Sequence, residues 1–211
     1  MAHDRIALKR LIEERLKDSR SVPDPSSAVP AGFSAKDVES IRAFFPATPA
    51  AAAVLIPIVD HESGLTVLLT ERASHLKNHA GQISFPGGRI EPTDLNPLEA
   101  ALRETDEEIG LSRELITFVG YLQPQLVLSG YWVTPVVAFV QPGFELRLDR
   151  REVAAAFEIP LLHILDEANH RSRERTLGDI SVQVFDIPYR DHNVWGATAG
   201  MLMALYRLLL E

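Results

Sequence analysis

One stretch of this chain, Phe85 to Leu111 (FPGGRIEPTDLNPLEAALRETDEEIGL), constrains its fold more than any other: a glycine pair is followed by a segment that ends in acids. The segment predicts a helix with both ends marked. Asn96 suits the N-cap, Pro97 the first helical position, Glu99 the third position of a capping box, and Gly110 the stop. Leu98, Leu102, Thr105 and Ile109 share one face that a core can bury, and Glu104, Glu107 and Glu108 project together on another.

That arrangement works against a plain helix. The C-terminal end of a helix carries partial negative charge, so each acid there loses about 0.3–1 kcal/mol. The like charges of Glu104 and Glu108, four apart, cost about 0.2–0.5 kcal/mol more. Arg103 offsets only part of this. Clustered carboxylate oxygens are the ligands that Mg²⁺ or Mn²⁺ selects, and a bare Gly-Gly backbone lets a metal and a phosphate approach closely. The competing reading is a solvated acidic face beside a simple turn.

Gly88, five residues, Asp94, then Arg103-Glu104-Thr105-Asp106-Glu107-Glu108-Ile109-Gly110-Leu111 resembles the Nudix box, G-x5-E-x7-R-E-U-x-E-E-x-G-U with U apolar. Asp94 stands where the pattern has Glu, the gap to Arg103 is eight, and Thr105 fills an apolar slot; the R-E-x-x-E-E register on the helix is intact. Leu68-Leu69-Thr70-Glu71-Arg72-Ala73, Lys77, Gly81 and Phe85-Pro86-Gly87-Gly88 resemble the signature of the coenzyme A pyrophosphatase subfamily, with Lys77 in place of Arg. Ser129-Gly130, Val133–Val136 and Val194–Ala199 are also similar to this subfamily.

The resemblance implies an α/β fold: a Nudix α/β/α sandwich with a mixed sheet, here preceded by an N-terminal helical arm. It implies Mg²⁺ or Mn²⁺ held by Gly88, Glu104 and Glu108, with Glu107 in a water-mediated or second-metal role. Arg103 would orient a neighbouring glutamate, and Arg72 and Lys77 would meet the phosphates. The general base is expected outside the box at Glu152, where REVAAAFEIPL resembles the family's acidic segment before an apolar strand; Glu107 is the other candidate. The implied reaction is cleavage of coenzyme A, or its acyl or oxidised forms, to 3′,5′-ADP and 4′-phosphopantetheine. Alternatives are the same chemistry on another nucleoside diphosphate derivative such as ADP-ribose, and a catalytically silent ligand-sensing domain. His75 and His79 read as loop residues, and Trp132 and Trp195 as packing aromatics.

The remaining sequence sets bounds. A chain of 211 residues fits one domain with an arm, divided as 1–33 (helix and Pro/Ser-rich linker) and 34–211 (catalytic domain). The absence of cysteine excludes disulfides and thiolate chemistry. A net charge of −8 argues against nucleic acid as a partner, which needs a basic face. Residues 1–18 are too charged for a signal peptide and no apolar run is long enough to span a bilayer, so no membrane partner is expected and the cytoplasm is the expected location. Residues 4–18 read as an amphipathic dimerisation or docking arm, which permits a homodimer, and 19–33 as an extended linker. A short helix is expected from Ser34 toward Phe45. Strands are expected at 53–59 and 65–70 as a hairpin, then at 115–122, 132–140 and 144–148. A helix at 160–168, strands at 173–177 and 180–187, and a final helix from Gly196 to Leu210 complete the pattern.

Overall fold

The computed structural model describes residues 2–22, 29–33, 41–76 and 79–210. In chain order the described elements begin with α1 (Ala2–Leu16), β1 (Val29–Pro30), β2 (Ala50–His61), β3 (Gly64–Arg72), β4 (Ile83–Ser84), β5 (Gly87–Arg89) and α2 (Pro97–Ile109). There follow β6 (Ile116–Tyr121), β7 (Gln125–Val127), β8 (Tyr131–Val140), β9 (Val153–Pro160) and α3 (Leu161–Ile164). The chain closes with β10 (Arg171–Leu177), β11 (Ile180–Tyr189), β12 (His192–Trp195) and α4 (Gly196–Leu210).

Successive side chains of a strand point to opposite faces, so a strand apolar at every position must be covered on both. β2 up to Val59 and β8 apart from Thr134 are such strands. They run parallel, with Ala50 opposite Tyr131 and Val59 opposite Val140. Ala53, Leu55, Val136 and Ala138 pack with Ala100 and Ala101 of α2 on one face. Ile56, Ile58, Val137 and Phe139 pack on the other face with Ile12 and Leu16 of α1 and Leu202, Leu205 and Leu209 of α4. The result is the expected α/β/α sandwich. Its sheet runs β1-β7-β8-β2-β3-β4, with β5 beside β2, β6 beside β8 and β9 beside β3; the β1–β7 and β2–β8 pairs are parallel and the rest antiparallel. Strands β10, β11 and β12 form a second, antiparallel sheet.

The N-terminal helix docks on its own chain. Ile12 and Leu16 are fully buried, and Arg5 and Lys9 reach Asp60 at the end of β2 at 2.5 and 2.7 Å. Part of the stretch read as a linker, β1, pairs with β7 and sits against α4: a Cβ added at Gly200 would lie 2.2 Å from the Gly32 amide nitrogen. No helix among the described residues is long and apolar enough to cross a membrane.

Four expectations change. Residues 144–148 form no strand; their backbone serves another purpose, described below. The helix expected over 160–168 is the single turn α3 and a 3-10 turn at Glu167–Asn169, separated where the Asp166 side chain caps the second turn at the Ala168 amide. Of the short helix expected after Ser34, residues 34–40 lie outside the described residues, and Arg42–Phe44 is a 3-10 turn. The hairpin strands are longer than expected, spanning Ala50–His61 and Gly64–Arg72.

Because Gly200 lets α4 touch the 29–33 segment backbone to backbone, Gly200→Ala is expected to destabilise the protein by about 1–3 kcal/mol despite the better helix propensity of Ala. Urea unfolding measures it; an unchanged or raised midpoint would show that this contact does not hold the N-terminal segment.

Candidate active site at the acidic helix

The ends of α2 are built as its sequence specifies. The Asn96 side chain accepts a hydrogen bond from the Glu99 amide at 3.1 Å, and Gly110 closes the helix at φ 65°, its amide donating to Asp106. Glu99 itself turns away from the cap to pair with Arg113 at 2.6 Å. Carbonyls at the end of a helix lack intrahelical partners. Here the amides of Arg147 and Asp149 donate to the carbonyls of Ile109 and Glu108, both at 2.9 Å. This is why 144–148 is no strand: its amides cap the helix, while Phe144, Leu146 and Leu148 pack inward.

That loop carries the chain into the turn before β9, where Glu152 sits. The Glu152 carbonyl accepts from the Ala73 amide at 2.8 Å, which fixes Glu152 beside the end of β3. There the β3–β9 register shifts between Glu71 and Arg72, a bulge of the kind that re-aims side chains at active sites. Both backbone groups of Arg72 close the following loop, on Gln82 and Gly81. The Nε of Arg72 is buried and has no hydrogen-bond partner among the described residues.

The glycine turn completes the site. Val54 pairs with Gly87 and Ala53 with Gly88, and the Leu55 amide donates to Pro86 at 2.9 Å. Gly87 has φ 151°, and a Cβ there would strike the Ala53 carbonyl oxygen at 2.4 Å. A Cβ on Gly88 would lie 2.5 Å from Cδ of Glu104, so that carboxylate rests directly on bare main chain.

Arg103 organises the acids. It holds Asp94 through two hydrogen bonds of 3.1 and 3.0 Å, donates to the Arg89 carbonyl at 3.1 Å, and reaches Glu104 at 2.9 Å and Glu107 at 3.3 Å. The guanidinium holds Asp94 below the usual carboxylate range. Glu108 turns inward instead. It is 6% exposed and accepts from the Gly87 amide at 3.3 Å. Burial pushes its carboxyl up to about 8, with Glu104 and Glu152 adding to the rise, against the Gly87 amide and Arg72, which pull it down. Glu104 is also raised, first by burial and then by Glu107 and Glu152, against the pull of Arg103.

Glu104, Glu107, Glu108, Glu152 and Arg72 thus share one electrostatic neighbourhood, while Lys77 lies outside the described residues. The sequence left Asp94 without a role; the acid of the box pattern at that position was the available signal. As the side chains stand, no three acidic or histidine groups among the described residues converge on a point, and Arg103 draws Glu104 and Glu107 to itself. The donor set nonetheless fits a hard divalent cation: all-oxygen ligands, buried carboxyl groups whose ionised form a cation would favour, and main chain open at Gly88.

A carboxyl with a raised folded-state pKa gives stability that is complete below its unfolded value and is lost as pH rises through the folded one. The metal-free protein should therefore lose stability between about pH 4.5 and 8 on account of Glu108. Glu108→Gln should stabilise the metal-free protein at pH 8 by on the order of 3 kcal/mol, with little gain at pH 4. Thermal unfolding in chelator at both values reads this; an equal gain at both would reject the buried charge.

Similarity to known proteins identifies the family of the chain. The NUDIX domain family model matches residues 49–177. The uncharacterized Nudix hydrolase NudL of Escherichia coli K12 is 41% identical over 155 residues, covering 73% of this chain and 80% of NudL. NudL of Enterobacter sp. strain 638 is 40% identical over the same length and with the same coverage. Among solved structures, the Caenorhabditis elegans Ap4A hydrolase binary complex has a TM-score of 0.46 and 20% identity, covering 53% of this chain and 80% of that one. The chain belongs to the Nudix family of hydrolases, which act on pyrophosphate bonds of nucleoside diphosphate derivatives and generally use divalent ions such as Mg²⁺ or Mn²⁺.

Proposed function

We propose that this Nudix hydrolase cleaves the pyrophosphate of coenzyme A, or of its acyl or oxidised forms, to 3′,5′-ADP and 4′-phosphopantetheine or the acylated equivalent. The observation that carries this reading is the segment from Leu68 to Gly88. Apart from Lys77, its residues match the coenzyme A pyrophosphatase signature, and it delivers a buried Arg72 Nε, unpartnered among the described residues, to the neighbourhood of Glu108.

Glu104, Glu108 and the Gly88 carbonyl would hold Mg²⁺ or Mn²⁺, with Glu107 in a water-mediated or second-ion role. When bound, the ion supplies charge neutralisation on the phosphate oxygens and acidity to the attacking water. Arg103 is a positioning residue: anchored on Asp94, it fixes the Glu104 carboxylate through a charge-assisted bond. Arg72 offsets phosphate charge, and Lys77, carried over from the signature, adds a second cation. Glu152 takes the proton of the water as its oxygen attacks phosphorus and the anhydride oxygen leaves with its electron pair. Glu152 is favoured over Glu107 because Glu107 is engaged by Arg103, whereas the Glu152 carboxylate makes no hydrogen bond or ion pair among the described residues.

Incubation with coenzyme A and Mg²⁺ in ¹⁸O-water, followed by mass spectrometry, tests the substrate. The expected products are the two phosphomonoesters, one of them labelled. Turnover of ADP-ribose without turnover of coenzyme A would reassign the enzyme to another nucleoside diphosphate derivative, and turnover of no diphosphate would leave a ligand-sensing domain. Glu152→Gln should lower kcat about 10²–10⁴-fold with KM nearly unchanged. Full kcat in that variant, with loss in Glu107→Gln, would move the base to Glu107.

A further inference from the structure

On the sheet face away from α2, the N-terminal helix α1 and the final helix α4 flank a cavity of about 440 Å³, within the range of small-ligand sites. Its chemistry is one-sided. No aspartate or glutamate among the described residues lines it, although the chain carries 29 acids against 21 lysines and arginines. Arg15 of α1 and Arg207 of α4 both line it, and neither has a carboxylate partner among the described residues. Arg207 is placed over the Phe185 ring, 5.6 Å from its centroid, and Phe33 and Met203 supply further apolar wall.

Gln125 adds a second, independent observation. It lines the same cavity, is 3% exposed, and its amide nitrogen makes only a long 3.4 Å bond to the Gly200 carbonyl. Its Oε1 is buried and has no hydrogen-bond partner among the described residues. A buried acceptor left unpaired costs about 1–3 kcal/mol, so a native site that keeps one is set to receive a donor. Two unneutralised guanidiniums, apolar walls and a waiting acceptor define a ligand with an acid head, a short apolar body and a hydroxyl or amide hydrogen.

We propose that this cavity binds such a small amphipathic acid, a carboxylate or a phosphate monoester, at a site separate from the acidic helix, bridging Arg15 and Arg207 and so tying α1 to α4. Isothermal titration of the full chain with 2-hydroxyoctanoate, 2-hydroxyoctyl phosphate and the neutral 1,2-octanediol, which share one apolar body, tests it. At least one acid is expected to bind at one site per chain, at least tenfold tighter than the diol; which one binds identifies the head group. Arg15→Gln and Arg207→Gln should each weaken it fivefold or more, Arg207→Lys should recover part of the loss, and Glu108→Gln should change nothing. Both arginines are exposed, so a folding failure in one variant leaves the other to decide. The proposal is overturned if neither acid binds below 1 mM, if the diol binds as well as the acids, or if binding follows Glu108 and ignores the arginines.

Discussion

A carboxylate taken out of water and bonded to a single backbone amide sets the terms for the rest of this molecule. Glu108 points into the protein against Gly87, and an isolated charge there would be costly to keep. The structure tolerates it because α2 is anchored independently on every side. Its apolar face is clamped on β2 and β8, its start is capped by Asn96, and its final carbonyls receive amides from the 147–149 loop. Packing elsewhere therefore holds the Glu108 carboxyl in an environment it would not choose.

The same economy governs the acids that remain near solvent. Arg103 takes up Asp94 through two bonds, and its remaining N–H groups span the Arg89 carbonyl and two glutamates. Lysine could not do this, since only a planar fork presents several donors in fixed directions. The loop that caps α2 continues directly into Glu152, and the Ala73–Glu152 bond ties that loop to the bulge at Arg72. Two segments about eighty positions apart thus meet beside one helix end.

Much of this was legible in the chain. The caps at Asn96 and Gly110 and the continuous apolar runs of β2 and β8 follow from local chemistry, and the box spacing pointed to the acids that the fold gathers. Other parts depended on tertiary partners. Phe144, Leu146 and Leu148 alternate like a strand, and they do point inward, but their backbone bonds go to a helix end that no periodicity reveals. Strands of two to four residues, such as β4, β5 and β12, are too short to carry a period. The amphipathic pattern of α1 suggested a dimerisation or docking arm; that Arg5 and Lys9 pair with Asp60 of the same chain is a tertiary contact the pattern does not specify. The individual roles of Glu104, Glu107, Glu108 and Glu152 come from resemblance together with placement, and stand as proposals.

Division of labour between the two faces of the sheet is the broader consequence. One face carries an acidic, oxygen-rich centre, and the other a basic cavity between α1 and α4. The most direct measurement of the central claim is anomalous diffraction from a crystal soaked in Mn²⁺. The account predicts a peak bonded to carboxylate oxygens of Glu104 and Glu108 and to the Gly88 carbonyl, with Arg103 still held by Asp94. A fully soaked crystal with no peak at these residues would contradict it.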